Sequence, residues 1–410
     1  MNSEKPAPLR PEPVTPSETP GPVHQKSDMN EVVAGLMSGT FFLVKDAFPT
    51  GLKVLSELKK QVFGGRMSAP DEMGGEDFQG YRIRRAEFRQ ASNRLLVPVE
   101  QNRIALRKSP DIGWLRELYP EMQNFQLPFP QIQGLNSSWQ WFLKGVRFPV
   151  LRHEIYPWYG TYFPTRFDHL LLFDEWLKKY RGKKHLAFDI GAGCGVLCFQ
   201  LLKHGFRHII ATDINPNAVI TVRENARHQS VQDRLEAHLS DLFKIWKDDD
   251  EAVHSTESVP ETKAKSKRKT EAESRLKASV KTRKKSRVND NVNAGKKADL
   301  IVFNPPWLPA DEGTGMLDRA IYYEPGLFDR FFADAGDHLE EEGKLVVLFS
   351  NLGRMTGIGE EHPVEEELAR FKRYMKVERI ERKVVGPSRN IRRPDHRKGE
   401  FVELWVLEKH

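Results

Sequence analysis

Cysteine is nearly absent from this chain: 410 residues contain two, Cys194 and Cys198. Four apart in a segment whose spacing predicts a helix, they form neither a structural zinc pattern nor a disulfide framework, and a reducing compartment follows. Long apolar runs are missing as well. The longest near the start, VVAGLMSGTFFLV at 32–44, has 13 residues with Ser and Thr inside, too short to cross a bilayer. The first 28 residues lack the apolar core of a secretory signal. The expectation is therefore an intracellular protein without a membrane partner, cytoplasmic or, in a eukaryote, nuclear. No phosphate-loop Lys-Ser/Thr and no nucleophile elbow occur. His153, His169 and His185 show no ligand spacing with nearby acids or cysteines, so no metal is expected.

What is present is 39 % apolar and 30 % charged, enough to bury a sizeable core. The net charge of +7 is concentrated. Pro260 to Lys297 holds 14 Lys or Arg against 4 Asp or Glu, so the rest of the chain carries a small negative balance. Residues 244–297, centred on KAKSKRKTEAESRLKASVKTRKKSR, are poor in aromatic and branched side chains and read as a disordered basic loop. Residues 1–30 are rich in proline, poor in apolar groups, and read as a disordered tail.

Residues 31–148 read as an N-terminal accessory region. Leu52, Leu55, Leu58 and Val62 recur at helical spacing, and SPDIGWLRELY from Ser109 reads as a short capped helix with Pro110 in its first turn. Trp114, Trp139, Trp141 and Trp158 are dense here, with Arg82, Arg84, Arg85, Arg89 and Arg94 upstream. Such an arrangement could grip RNA, although a packed core with a solvated face is the commoner use of these residue types.

From about residue 149 the pattern alternates between strands and helices. HLAFDIG (185–191), HIIATDIN (208–215), RLEAHLSDLF, ADLIVFNPP and KLVVLFSN read as strands. GVLCFQLLKHG, PNAVITVRENARHQS, LFDRFFADAGDHL and PVEEELARFKRYM read as helices, and VERIERKVV with FVELWVLEK closes as a hairpin. The fold class is α/β: a Rossmann-like, mostly parallel sheet over 149–410 with helices on both faces and a C-terminal antiparallel hairpin.

In FDIGAGCG the glycines Gly191, Gly193 and Gly195 fall where the first strand turns into a helix, so a ligand can approach the backbone closely. A dinucleotide fingerprint would need glycine where Val196 stands, and the acid Asp189 disfavours a pyrophosphate. Asp189 suits a cationic ligand with an amino group, and S-adenosylmethionine carries both an ammonium and a sulfonium. Asp213, ending the second strand, is placed to accept from a ribose diol, and Asp241 in SDLF to accept from an adenine amino group.

The order FDIGAGCG, ATDINPNA, LSDLF, IVFNPPW resembles the class I S-adenosylmethionine-dependent methyltransferases of the small methyltransferase-domain type. The likeness is to the branch whose fourth strand ends in Asn-Pro-Pro-aromatic. That branch includes amino methyltransferases of DNA and RNA and the release-factor glutamine methyltransferases. The resemblance implies a seven-stranded sheet, S-adenosyl-L-methionine as cofactor, and an acceptor slot made by Asn304, Pro305, Pro306 and Trp307. In it the Asn304 side chain and the Pro305 carbonyl accept from a planar NH2 group while Trp307 offers a stacking face. Tryptophan at 307 departs from the usual Tyr or Phe.

Tyr162, Thr165 and Arg166 are further candidates to touch donor or substrate, and Arg389, Arg392, Arg393 and Arg397 to touch phosphates. The reading reached from sequence is methyl transfer to an amino nitrogen of an RNA base, the basic loop concentrating the nucleic acid. Its alternatives are a protein (glutamine) substrate and an inactive binding subunit with a methyltransferase fold.

Overall fold

The computed structural model describes residues 6–64, 75–245, 296–309, 322–357, 361–383 and 399–410. The basic segment inside 244–297, apart from its ends, and the arginines Arg389 to Arg397 lie outside the described residues.

The N-terminal half is built on a five-stranded sheet. Its elements are β1 (Gly21–Val23), α1 (Met29–Ser38), β2 (Phe42–Val44), α2 (Phe48–Phe63), α3 (Gly75–Ser92), β3 (Leu95–Glu100), β4 (Arg103–Ile104), α4 (Trp114–Leu118), β5 (Asn124–Pro128) and α5 (Phe129–Lys144). β1, β2 and β3 run parallel, while β4 and β5 pair antiparallel with β3. The helical spacing read at 52–62 corresponds to α2, with Val54, Leu55, Leu58 and Val62 buried and Leu52 on the solvent side. The short helix after Ser109 starts later than its sequence suggests: Gly113 occupies the cap and Pro110 stays outside. Trp114 and Trp158 are core residues, whereas Trp141 is 42 % exposed.

Residues 6–30 correct the expectation of a disordered tail. The segment supplies β1, and before it the chain lies along the body: Leu9 N–H donates to Asn217 Oδ1 at 2.9 Å and the Tyr119 hydroxyl donates to the Pro11 carbonyl at 2.6 Å. Val14 N–H donates to the Gln126 carbonyl. Composition measures how little such a segment can bury by itself, and these bonds come from partners far along the chain.

The second half follows as α6 (Asp168–Lys179), β6 (Leu186–Ile190), α7 (Val196–Lys203), β7 (His208–Asp213), α8 (Pro216–His228), β8 (Leu235–Leu239), β9 (Ala298–Phe303), β10 (Leu308–Pro309), β11 (Tyr322–Tyr323), α9 (Leu327–Ala335), β12 (Leu339–Ser350), α10 (Leu352–Thr356), α11 (Pro363–Glu366), β13 (Tyr374–Lys383) and β14 (Phe401–Lys409). Its seven-stranded sheet has the order β8-β7-β6-β9-β12-β14-β13. β8 through β12 are parallel, and β14 is antiparallel to both of its neighbours. The doubly wound α/β sheet expected from sequence is thus present, and its returning strand lies inside, leaving β13 as the edge. β9 is buried at every position, as suits a strand flanked on both sides; its one polar side chain, Asp299, accepts from the His185 and Leu186 amides. β13 alternates Lys, Glu and Arg along a largely exposed surface, which suits an unpaired edge.

The two halves meet on α8. Asn217, Thr221 and Asn225 recur every four residues, so they share one face, and all three are buried. Asn217 donates to the Tyr159 and Leu9 carbonyls; Thr221 Oγ1 accepts from Trp158 N–H; Asn225 exchanges two bonds with the Tyr156 backbone. Ile220 on the same helix packs into the N-terminal core. Asn217→Ala, which leaves the Leu9 amide and two carbonyls without their partner, should destabilise by roughly 2–4 kcal/mol. A urea titration gives the loss directly; an unchanged midpoint would show that the join does not depend on this residue.

Candidate functional site

The sheet positions the candidate residues at its carboxyl edge. Ile190 pairs with Phe303, so Gly191 and Asn304 step off neighbouring strands at the same level, about 5 Å apart in the pairing direction. On the other side Asp213 pairs with Leu239, and Asp241 follows two residues later. Chain order reverses between β6 and β9, which makes this edge the switch point where open α/β sheets form their ligand crevice.

The turn after β6 demands glycine. Gly193 and Gly195 have φ of +53° and +81°, and a Cβ at Gly195 would lie 2.9 Å from Val222 Cγ2. Gly191 N–H donates to the Thr212 carbonyl at 2.8 Å, and Gly193 N–H to Asp213 Oδ2 at 2.7 Å. Asp213 Oδ1 accepts from Asn215 N–H at 2.8 Å. Burial raises the Asp213 pKa, opposed by the two backbone donors. The side chain is only partly covered, and each oxygen retains accepting capacity for a further donor.

Asp189 lies beneath the loop, fully buried, with Oδ2 2.9 Å from the Cys198 thiol that donates to it. Its Oδ1 has no partner. Burial pushes this carboxyl up to about 7; the thiol pulls the other way and the Asp213 charge adds to the rise. Asp241 is engaged differently, because its Oδ2 accepts from Lys244 at 2.7 Å and Arg330 at 3.0 Å. Burial works against its ionisation, and the two cations outweigh it, leaving the pKa lowered. An adenine amine at Asp241 would share this carboxylate with two existing partners.

On the β9 side, Asn304 is half-buried and its Oδ1 accepts no hydrogen bond from any described residue. Pro305 is buried, with Pro306 and Trp307 half-buried beyond it. Trp307 meets His169 edge to face, with ring centroids 5.3 Å apart and planes at 88°. Both His169 nitrogens and the Trp307 Nε1 are buried without partners, and burial holds the His169 pKa down to about 4, so the ring is neutral at pH 7. From sequence His169 was weighed only as a metal ligand and set aside; a lone histidine in a helix's first turn has no spacing that marks another role. Thr212, whose buried Oγ1 also lacks a partner, was equally silent.

Of the upstream candidates, Tyr162 is exposed, and its carbonyl lies against Gly193, where an added Cβ would come within 3.3 Å. Thr165 is exposed on an adjoining cavity. Arg166 instead donates to the buried Glu400 at 2.8 Å, a structural engagement.

Comparison with known proteins places similarity on the glycine-loop side of this edge. Residues 172–254 match the family described as ribosomal protein L11 methyltransferase (PrmA). The ribosomal protein L11 methyltransferase of Psychrobacter arcticus is 39 % identical over 72 residues, 18 % of this chain and 23 % of that protein. The Haemophilus influenzae protein is 39 % identical over 67 residues, again 23 % of its length. This chain therefore spans less than a quarter of these curated relatives. Among solved structures, an rRNA methylase from Streptococcus thermophilus covers 60 % of this chain and 99 % of its own at 13 % identity and a TM-score of 0.33. TrmN from Thermus thermophilus covers 59 % and 48 % at 12 % identity and the same TM-score. The fold assignment rests on the strand order itself.

Among the described residues no group of three or more His, Cys, Asp or Glu is arranged to hold a metal ion, and no helix is long and apolar enough to cross a membrane.

The raised Asp189 pKa has a sign that can be measured. The native state keeps its proton between the ordinary carboxylate pKa and about pH 7, where the unfolded chain has lost it, so this group's contribution to stability falls as pH rises through that window. Asp189→Asn should flatten the decline: thermal melts of ligand-free protein at pH 5 and pH 8 will differ less in the variant than in the wild type. Parallel changes in both proteins would remove Asp189 as the cause.

Proposed function

We propose that this chain is an S-adenosylmethionine-dependent N-methyltransferase acting on a planar amino nitrogen, foremost an exocyclic amine of an RNA base. One observation carries the reading. Asn304 Oδ1, an acceptor shielded from solvent and without a hydrogen-bond partner among the described residues, stands one strand from the glycine loop at the switch-point edge.

The residues present fit the cofactor. Asp189 Oδ1 and Thr212 Oγ1 are buried and without partners among the described residues, beside a turn where three glycines leave the backbone open, and Asp213 has accepting capacity left for a diol. When bound, S-adenosylmethionine supplies an electrophilic methyl carbon on a sulfonium. Everything else falls to the chain. Asn304 Oδ1 accepts one N–H of the amine, and Pro305 and Pro306 bring no N–H of their own to compete. Holding the amine there turns its lone pair out of conjugation and stabilises the positive charge that grows on nitrogen. Trp307, braced by His169, gives the flat group a face to stack on. No strong base is needed, because the proton is lost after nitrogen has become cationic.

A protein substrate is the second reading, and the names of the relatives favour it, since those proteins are called ribosomal protein L11 methyltransferases. The matched residues end at 254, before Asn304, so the likeness covers the cofactor side and supports the donor more than the acceptor. The RNA reading draws its support from the acceptor motif and from the basic segment at 260–297.

Incubation with radiolabelled S-adenosylmethionine and cell extract, divided between nuclease and protease, separates the two. Label released by nuclease supports an RNA base; label that survives nuclease and is lost to protease moves the assignment to protein. Asn304→Ala should slow transfer about 100- to 1,000-fold while donor affinity is kept, by analogy with other preorganised acceptors and donors. Full activity in that variant would refute the role given to the motif.

A further inference from the structure

A second recess opens beside the glycine loop, and neither the methyl-transfer chemistry nor the family match accounts for it. It has a volume of about 570 Å³, within the range of small-ligand pockets, and lies between the end of α5 and the stretch 163–167. Trp141 and Phe163 pack against each other in its wall, with ring centroids 5.5 Å apart and planes tilted by 59°. Trp141 keeps 42 % of its surface exposed, so an aromatic platform is open to solvent.

Cations frame this platform. Lys144 Nζ stands 6.0 Å from the Trp141 ring and has no carboxylate partner among the described residues. Arg147 is 84 % exposed and pairs with Glu154 at 2.9 Å, which neutralises the one acid in the lining. The remaining charge is positive. An exposed indole next to an uncommitted ammonium is the pairing that takes a base by stacking and its phosphate by charge.

The recess also has a route to the acceptor slot. Tyr162 lies on Gly193, and the next residue, Phe163, is in the recess wall. Phe163 and Phe167 pack in the same cluster as Trp307, and His169 two residues on contacts Trp307 directly. One short stretch of chain thus touches the glycine loop, the recess and the stacking residue.

We propose that this recess binds a nucleotide flanking the methylated base: its base stacked on Trp141 and its phosphate at Lys144. The assignment rests on the RNA reading above and adds the place where the strand is held. Trp141 is a specificity-determining residue outside the reacting centre, and it was visible in the sequence only as one tryptophan among several.

The test uses the full chain, a fluorescein-labelled single-stranded RNA of mixed sequence, and anisotropy. Trp141→Ala should weaken RNA binding about 10- to 100-fold, and Trp141→Phe should restore most of it, because stacking is retained. Lys144→Ala should lower the slope of log affinity against log salt by about 0.7, the amount for one phosphate of a single strand. Calorimetry with S-adenosylmethionine should give the same affinity in all three variants. RNA affinity unchanged in Trp141→Ala, no RNA binding by the wild type, or loss of binding to a glutamine-containing peptide instead of RNA would each overturn the inference. Failure of the parent reading shows separately, as a wild-type protein that takes up no S-adenosylmethionine.

Discussion

The carboxylate of Asp213 ties two neighbouring turns together, and the shape of the site depends on it. One oxygen takes the Gly193 amide from the turn after β6 and the other takes the Asn215 amide from the turn after β7. Backbone amides in a glycine-rich turn have no ladder to donate to, and without such an acceptor the turn would exchange its shape for contact with water. With it, the loop is held open at its top. The neighbouring contacts build outward from this tie: the Asn215 side chain donates to the Gly160 carbonyl, and the stretch it steadies carries Tyr162 onto Gly193.

Much of this architecture is legible in the order of residues. β6, β7 and β9 are mostly apolar and buried because each is flanked by strands on both sides, and the three glycines mark a turn whose positive φ values disfavour side chains at those positions. The acceptor motif is readable for a similar reason, since two prolines can only end a strand. What the order of residues did not show depends on partners far away along the chain. Asp241 was read as an acceptor for an adenine amine, and Arg330, 89 residues on, already lies beside it. Leu9 appeared to belong to a tail until Asn217, 208 residues on, offered it both a donor and an acceptor. Asp189 was read from sequence as facing a ligand cation; its full burial beneath the loop comes from the packed sheet, which residue order does not display. The accessory sheet was missed because several of its strands are two or three residues long, too short for an alternating pattern.

A division of labour emerges across the crevice. The glycine-loop side has the residues that other proteins share, from the helix before β6 to the segment beyond β8. Across from it stand β9 and the half-buried Trp307, and the N-terminal half adds α5 and its exposed indole at the rim of the neighbouring recess. α8 joins the two halves: its Asn-Thr-Asn face carries the accessory half.

The position of β14 has a bearing on how the chain is made. It lies between β12 and β13, so β13 reaches the sheet only through a strand translated after it. While the ribosome is still decoding residues short of Phe401, the polypeptide emerging from it has β12 with an open side and β13 with nothing to pair against. The N-terminal sheet, whose strands all precede residue 130, can assemble during that interval, but the second sheet completes only once β14 has been made. Nascent chains of this protein therefore pass through a stage with unpaired strand borders, the kind of surface that chaperones shelter.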